Sequence, residues 1–192
     1  LIEKGLAEPM IVVMPNGNAV KQAAPGETSE NLSYLPVMTN QLKGYKTGNY
    51  EESFDEIVEY VDSHYRTIRK KEKRAVAGLS MGGFHSLFIA LNHPEKFNYV
   101  GLLSAGLNTA FLDMTKPAYK DMEAKLKNFQ KEGYDLFWIA CGKDDFLYQN
   151  NLDFMKTCDN IGFEYTYHES ERGHIWANWR QYLLLLTPML FR

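Results

Sequence analysis

Ser80 stands in the run Gly78-Leu79-Ser80-Met81-Gly82, a G-x-S-x-G spacing. A serine hydroxyl is a weak nucleophile unless a neighbouring base removes its proton. A sharp strand-to-helix turn lifts that hydroxyl to where a base and a carbonyl carbon can both reach it. By composition alone the spacing arises about once in fifteen chains of this length, so its setting carries the argument. Here a short apolar strand, Ala75-Val76-Ala77, leads in, and Phe84, Leu87, Phe88 and Leu91 mark a following helix that Pro94 stops. Side chains at 78 or 82 are expected to collide across such a turn. The helix opening at Met81 points its positive end at the serine, and the Met81 N–H is the expected donor to an oxyanion. The competing reading is a glycine-rich turn with an idle serine.

A base is needed, and histidine is the usual one near neutral pH. His174 follows a late strand in a loop, Ser170-Glu171-Arg172-Gly173-His174, ahead of the last helix. The carboxyl ends of parallel strands are where such sheets display functional groups, which favours His174. His64, His85, His93 and His168 are expected at surface or capping positions. An orienting acid is offered by Gly142-Lys143-Asp144-Asp145, where two adjacent aspartates compete and the other would form the turn. Trp176, two residues past His174, is a candidate pocket wall and equally a candidate for helix packing.

The elements that must position these groups alternate between short apolar strands and amphipathic helices. That pattern implies an α/β fold with a mostly parallel sheet and helices on both faces. Met10 to Met14 reads as a buried strand stopped by Pro15-Asn16-Gly17. Asn16 to about Gly48 shows no periodicity and reads as a wall or lid over a site. Phe54 to Tyr65 reads as a helix with Ser53 as cap and Glu56 three residues on. Strands are expected at Tyr99 to Leu103, Leu136 to Cys141 and, nearer the sheet edge, Phe163 to His168. Helices are expected from Ala118 to about Phe129 and from about Leu147 to Asn160. In the final helix Trp176, Trp179, Leu183, Leu186 and Leu190 are expected to form one buried face.

The 192 residues suffice for one domain with a sizeable core. A net charge of −3 gives no electrostatic case for nucleic acid or an anionic membrane. The cluster Arg66, Arg69, Lys70, Lys71, Lys73 and Arg74 reads as a solvated loop. No apolar run approaches the ~20 residues of a membrane span. Cys141 and Cys158 match no zinc or redox spacing and read as buried free thiols. The start, Leu1-Ile2-Glu3-Lys4, has neither Met nor a signal-peptide layout, and is silent about compartment.

The run Arg74 to Phe84, followed by Asn92-His93-Pro94-Glu95-Lys96-Phe97, resembles the putative-esterase family of α/β-hydrolases. Cys141-Gly142-Lys143-Asp144-Asp145 and Gly173-His174-Ile175-Trp176 resemble its acid and histidine segments. The likeness runs from about Pro9 to the end and is strongest to feruloyl and acetyl-xylan esterases. It implies an α/β-hydrolase fold and hydrolysis through an acyl-enzyme, with Ser80 as nucleophile, His174 as base and Asp145 as acid. Neither metal nor cofactor is implied. The implied substrate is a small-molecule or polysaccharide ester, and the implied location is secreted or periplasmic. In that family several strands precede the one read at Met10, and a loop among them donates a second oxyanion N–H. No such segment is present, so the expected unit over residues 1–192 is one domain lacking its N-terminal strands. A non-catalytic carbohydrate-binding module, an acyltransferase and an enterochelin-type esterase are the alternatives that share this pattern.

Overall fold

Three apolar runs and a more polar fourth lie side by side as parallel strands: β1 (Ala75–Leu79), β2 (Tyr99–Leu103), β3 (Leu136–Gly142) and β4 (Thr166–Ser170). The computed structural model describes residues 1–15, 49–107 and 115–192. Among these the sheet has the order β1-β2-β3-β4, with Leu79 opposite Leu103 and Leu103 opposite Ala140. Helices fall between and around the strands: α1 (Asn49–Glu52), α2 (Phe54–His64), α3 (Met81–Asn92), α4 (Met122–Glu132), α5 (Tyr148–Ile161) and α6 (Trp176–Leu186).

The pleat sends alternate side chains to opposite faces. Val100, Leu102, Phe137 and Ile139 point into a large core with Leu87, Phe88, Leu126, Phe129 and Phe154 of α3, α4 and α5. Leu103, Trp138 and Ala140 point the other way, onto Trp179, Tyr182 and Leu186 of α6. Two faces covered explain why β2 is buried at every position and why its sequence shows no polar alternation.

The strands at Tyr99 and Leu136 and the helix after Leu147 stand where the sequence places them. Ser53 occupies the N-cap of α2 without a side-chain cap bond, while the Glu56 N–H donates to its carbonyl at 3.1 Å. The fourth helix begins at Met122 rather than Ala118, because residues 115–121 are turns that bring Ala118 and Tyr119 into the core. The basic cluster near residue 70 is largely exposed, with Arg74 paired to Asp62. Both cysteines are buried and free. The wall or lid expected over Asn16 to Gly48 lies outside the described residues.

Two expectations are corrected. Met10 to Met14 is not a strand: Ile11, Val12, Val13 and Met14 are exposed and pair with nothing in the sheet. An apolar run becomes a strand only where a partner edge accepts its hydrogen bonds. On α6, Leu183 is 60% exposed, and the buried seam runs instead through Asn178, Trp179, Tyr182 and Leu186. Asn178 and Tyr182 can enter the core because their polar atoms find partners there, which an apolar count misses. The Tyr182 and Ser170 hydroxyls lie 2.5 Å apart, and the Asn178 amide donates to the Glu171 and Gly173 carbonyls at 3.0 Å.

Candidate active site

Ser80 sits at the carboxyl end of β1 with φ 54° and ψ −118°, a conformation that L-residues rarely adopt. Its backbone is over-determined. The Ser80 N–H donates to Leu103 O at 2.9 Å, and Ser80 O accepts from Gly106 N at 3.0 Å and Phe84 N at 3.2 Å. The turn this makes is tight at Gly78, where a Cβ would lie 2.2 Å from the Gly82 carbonyl oxygen. It is open at Gly82, where a Cβ would meet nothing within 4 Å. The expectation of a collision at 82 is therefore corrected. The close approach falls one residue later, at Gly83, whose Cβ would lie 2.6 Å from that of Ala105. Gly82→Ala is accordingly expected to keep or slightly raise stability, since alanine gains up to ~1 kcal/mol over glycine inside a helix. Gly78→Ala is expected to lose about 3 kcal/mol or more from overpacking against backbone that cannot move aside. Denaturant melts of the two variants side by side check this difference.

Met81 opens α3, so its N–H has no acceptor within the helix and remains available beside the serine. Asp145 follows β3 and His174 follows β4, so all three groups stand at the carboxyl end of the parallel strands. The His174 Nε2 is 2.9 Å from Ser80 Oγ, and its Nδ1 is 2.9 and 3.0 Å from the two Asp145 oxygens. A carboxylate only accepts, so the proton sits on Nδ1 and Nε2 is free to accept from the serine hydroxyl. The Asp145 side chain is fully buried and the His174 side chain 8% exposed.

Of the two competing aspartates, Asp145 meets the imidazole and Asp144 faces solvent. Asp144 still serves the geometry through its backbone, since its N–H donates to Arg172 O at 3.1 Å. With Lys143 N to Ser170 O at 2.8 Å, this bond ties the aspartate loop to the histidine loop. Two buried asparagines complete the frame. The Asn178 amide holds the carbonyls on either side of Arg172. The Asn151 amide donates to Ala105 O at 3.0 Å and Leu147 O at 2.9 Å, joining the serine side to the aspartate loop. Neither asparagine was singled out from sequence. The available signal was a polar residue inside an apolar helical stripe, as Asn151 is with Phe154, Met155 and Cys158.

The other histidines stand apart from Ser80. His64 ends α2 and His93 caps α3, as expected. His168 is half-buried within β4, stacked on Trp138. His85 departs from expectation: it is buried, with Nδ1 2.6 Å from Glu51 Oε1. Trp176 packs edge-on against Trp179 and joins the α6 core. Among the described residues the rings that touch His174 are Trp179 at 4.8 Å and Phe146 at 4.6 Å between centroids. Cys141 is no rival nucleophile, because burial, with help from the nearby Asp145 charge, pushes its thiol up to about 12. Among the described residues no group of three side chains could hold a metal ion, and no helix is long and apolar enough to cross a membrane.

Known proteins share this architecture. An acetyl esterase of Caldicellulosiruptor saccharolyticus is 29% identical over 155 residues, covering 67% of this chain and 58% of that protein. An endo-1,4-beta-xylanase/feruloyl esterase of Xylanibacter ruminicola is 36% identical over 112 residues, covering 55% of this chain and 13% of that protein. An S-formylglutathione hydrolase from Staphylococcus aureus superposes with a TM-score of 0.61 at 29% identity, over 73% of this chain and 60% of that one. The chain thus spans under two thirds of the length of these relatives, and its fold is that of the α/β-hydrolases. The model of the family described as "Putative esterase" matches residues 1–187, and this chain belongs to that family.

Proposed function

We propose that this chain is the catalytic part of a serine carboxylic-ester hydrolase that removes feruloyl or acetyl groups from xylan-type polysaccharide. The observation that carries this reading is the continuous Ser80–His174–Asp145 hydrogen-bond chain, with a strained serine at one end and a buried carboxylate at the other. In the proposed reaction His174 Nε2 takes the Ser80 proton as Oγ attacks the ester carbonyl carbon. Asp145 holds the imidazole in the productive tautomer and stabilises the imidazolium. The Met81 N–H, with the α3 dipole behind it, receives the negative charge on the former carbonyl oxygen. His174 then returns the proton to the departing alcohol. Water, deprotonated by the same nitrogen, releases the acid and restores Ser80.

The polysaccharide assignment rests on the acetyl and feruloyl esters named for the relatives, and export from the cell is proposed with it because xylan is extracellular. Initial rates on acetylated xylan and on methyl ferulate test the acyl group. Release of acetate or ferulate at rates well above those on a long-chain p-nitrophenyl ester is the expected result. Turnover confined to the long-chain ester would overturn the cell-wall assignment, and no turnover of any ester would overturn the esterase reading.

A further inference from the structure

Phe146 is an aromatic side chain held 66% exposed, and its ring lies 4.6 Å from the His174 ring at a 50° tilt. Its place is set by the backbone. Asp145 Oδ1 accepts from Leu147 N at 2.9 Å and Asp145 O accepts from Tyr148 N at 2.8 Å, so Phe146 is pinned between two bonded neighbours. The other ring contact of His174 among the described residues is Trp179, which is buried and belongs to the α6 core. The imidazole therefore has one aromatic neighbour packed inside the protein and one facing solvent.

We propose that Phe146 is the specificity-determining wall of the alcohol subsite, taking the apolar face of the sugar ring whose hydroxyl carries the acyl group. This rests on the esterase reading above. The side is decided by chemistry. The leaving oxygen must come within hydrogen-bond reach of the nitrogen that protonates it, His174 Nε2. The alcohol portion of the ester thus lies along the histidine, while the oxyanion turns toward Met81. An alcohol larger than methanol then passes over the exposed Phe146 ring. Sugar rings offer a face of polarised C–H groups, which suits the negative face of an aromatic ring. An exposed aromatic at a mouth also gains by having its apolar surface covered when substrate binds.

The test compares esters that differ on one side only, using Phe146→Ala and Phe146→Trp. Acetylated xylo-oligosaccharide and methyl acetate share the acyl group, and methyl ferulate shares the small alcohol with methyl acetate. For Phe146→Ala, KM on the acetylated oligosaccharide is expected to rise about ten-fold, with a change under about three-fold on methyl acetate. Phe146→Trp is expected to restore most of the loss. Two results would overturn the subsite. One is an equal fall in kcat on all three esters with a displaced pH–rate profile, which would make Phe146 a support for His174 alone. The other is a selective loss on methyl ferulate, which would put the ring on the acyl side. Failure of the unmodified protein on all three esters would instead overturn the esterase reading, and the subsite with it.

Discussion

Ser80→Gly is expected to abolish ester hydrolysis and at the same time to stabilise the protein. The catalytic half follows from removal of the hydroxyl that lies 2.9 Å from His174 Nε2. Loss of a triad serine costs a serine protease about 10⁶ in kcat, and a fall of at least about 10⁴ is expected here. The stability half follows from φ 54° and ψ −118° at Ser80. A non-glycine residue held in such a region costs about 1–3 kcal/mol, and glycine adopts it without a Cβ penalty. Glycine also loses more freedom on folding, by roughly 0.5–1 kcal/mol, so a net gain of about 1 kcal/mol remains. In a chain of this size that is a rise of about 2–4 °C in Tm. Ser80→Ala is the control, being equally inactive but without the relief. Rates on p-nitrophenyl acetate and thermal melts of the three proteins decide it. A glycine variant no more stable than the alanine variant would show that the elbow stores no strain.

Replacing Glu51 by leucine is expected to be the most damaging change away from the catalytic groups. Glu51 is completely buried, yet it lies on the short α1, far in sequence from its partners. Its Oε1 accepts from His85 Nδ1 at 2.6 Å and from the Tyr119 hydroxyl at 3.2 Å, and its backbone carbonyl lies 3.1 Å from His93 Nε2. One carboxylate thus fastens α1 to α3 and to the turns before α4. Removing one partner of a buried pair strands the other, at a cost of about 3–5 kcal/mol. Burial pushes the Glu51 carboxyl up, but the hydrogen bond and charge of His85, a backbone bond and the Tyr119 hydroxyl together outweigh it and hold it below its ordinary 4.5. A carboxyl depressed by folding contributes stability that is present above its unfolded value and is lost as pH falls through the folded one. Denaturant midpoints should therefore fall as pH drops below about 4.5 in the parent protein, with a smaller part of that fall surviving in Glu51→Gln. Identical acid profiles for parent and Glu51→Gln would remove Glu51 from the account.

The strands at 99 and 136 are buried on both faces, so continuous apolar runs announced them without help from neighbours. The run at Met10 looks the same in composition and is no strand, because pairing depends on an edge supplied by other parts of the chain. Ser80 was legible because the elbow needs a local spacing that a strand and a helix enclose. His174 was legible because its loop follows a strand.

Local chemistry alone was enough to nominate Ser80, His174 and two aspartates, since nucleophile, base and acid are limited to a few residue types and to strand ends. Tertiary structure decided what depends on distance between remote segments. Asp145 rather than Asp144 turns inward, because bonds from Lys143 and Asp144 to the β4 loop set which of the pair faces His174. It placed the close approach at Gly83 instead of Gly82, because Ala105, just past the end of β2, is what the helix meets. It also buried polar Asn151, His85 and Glu51, which find partners far away in sequence, and Asn178, which holds the loop just before its own helix. A polar residue enters a core only when such a partner waits there, and that is a property of the folded chain rather than of any short stretch of it.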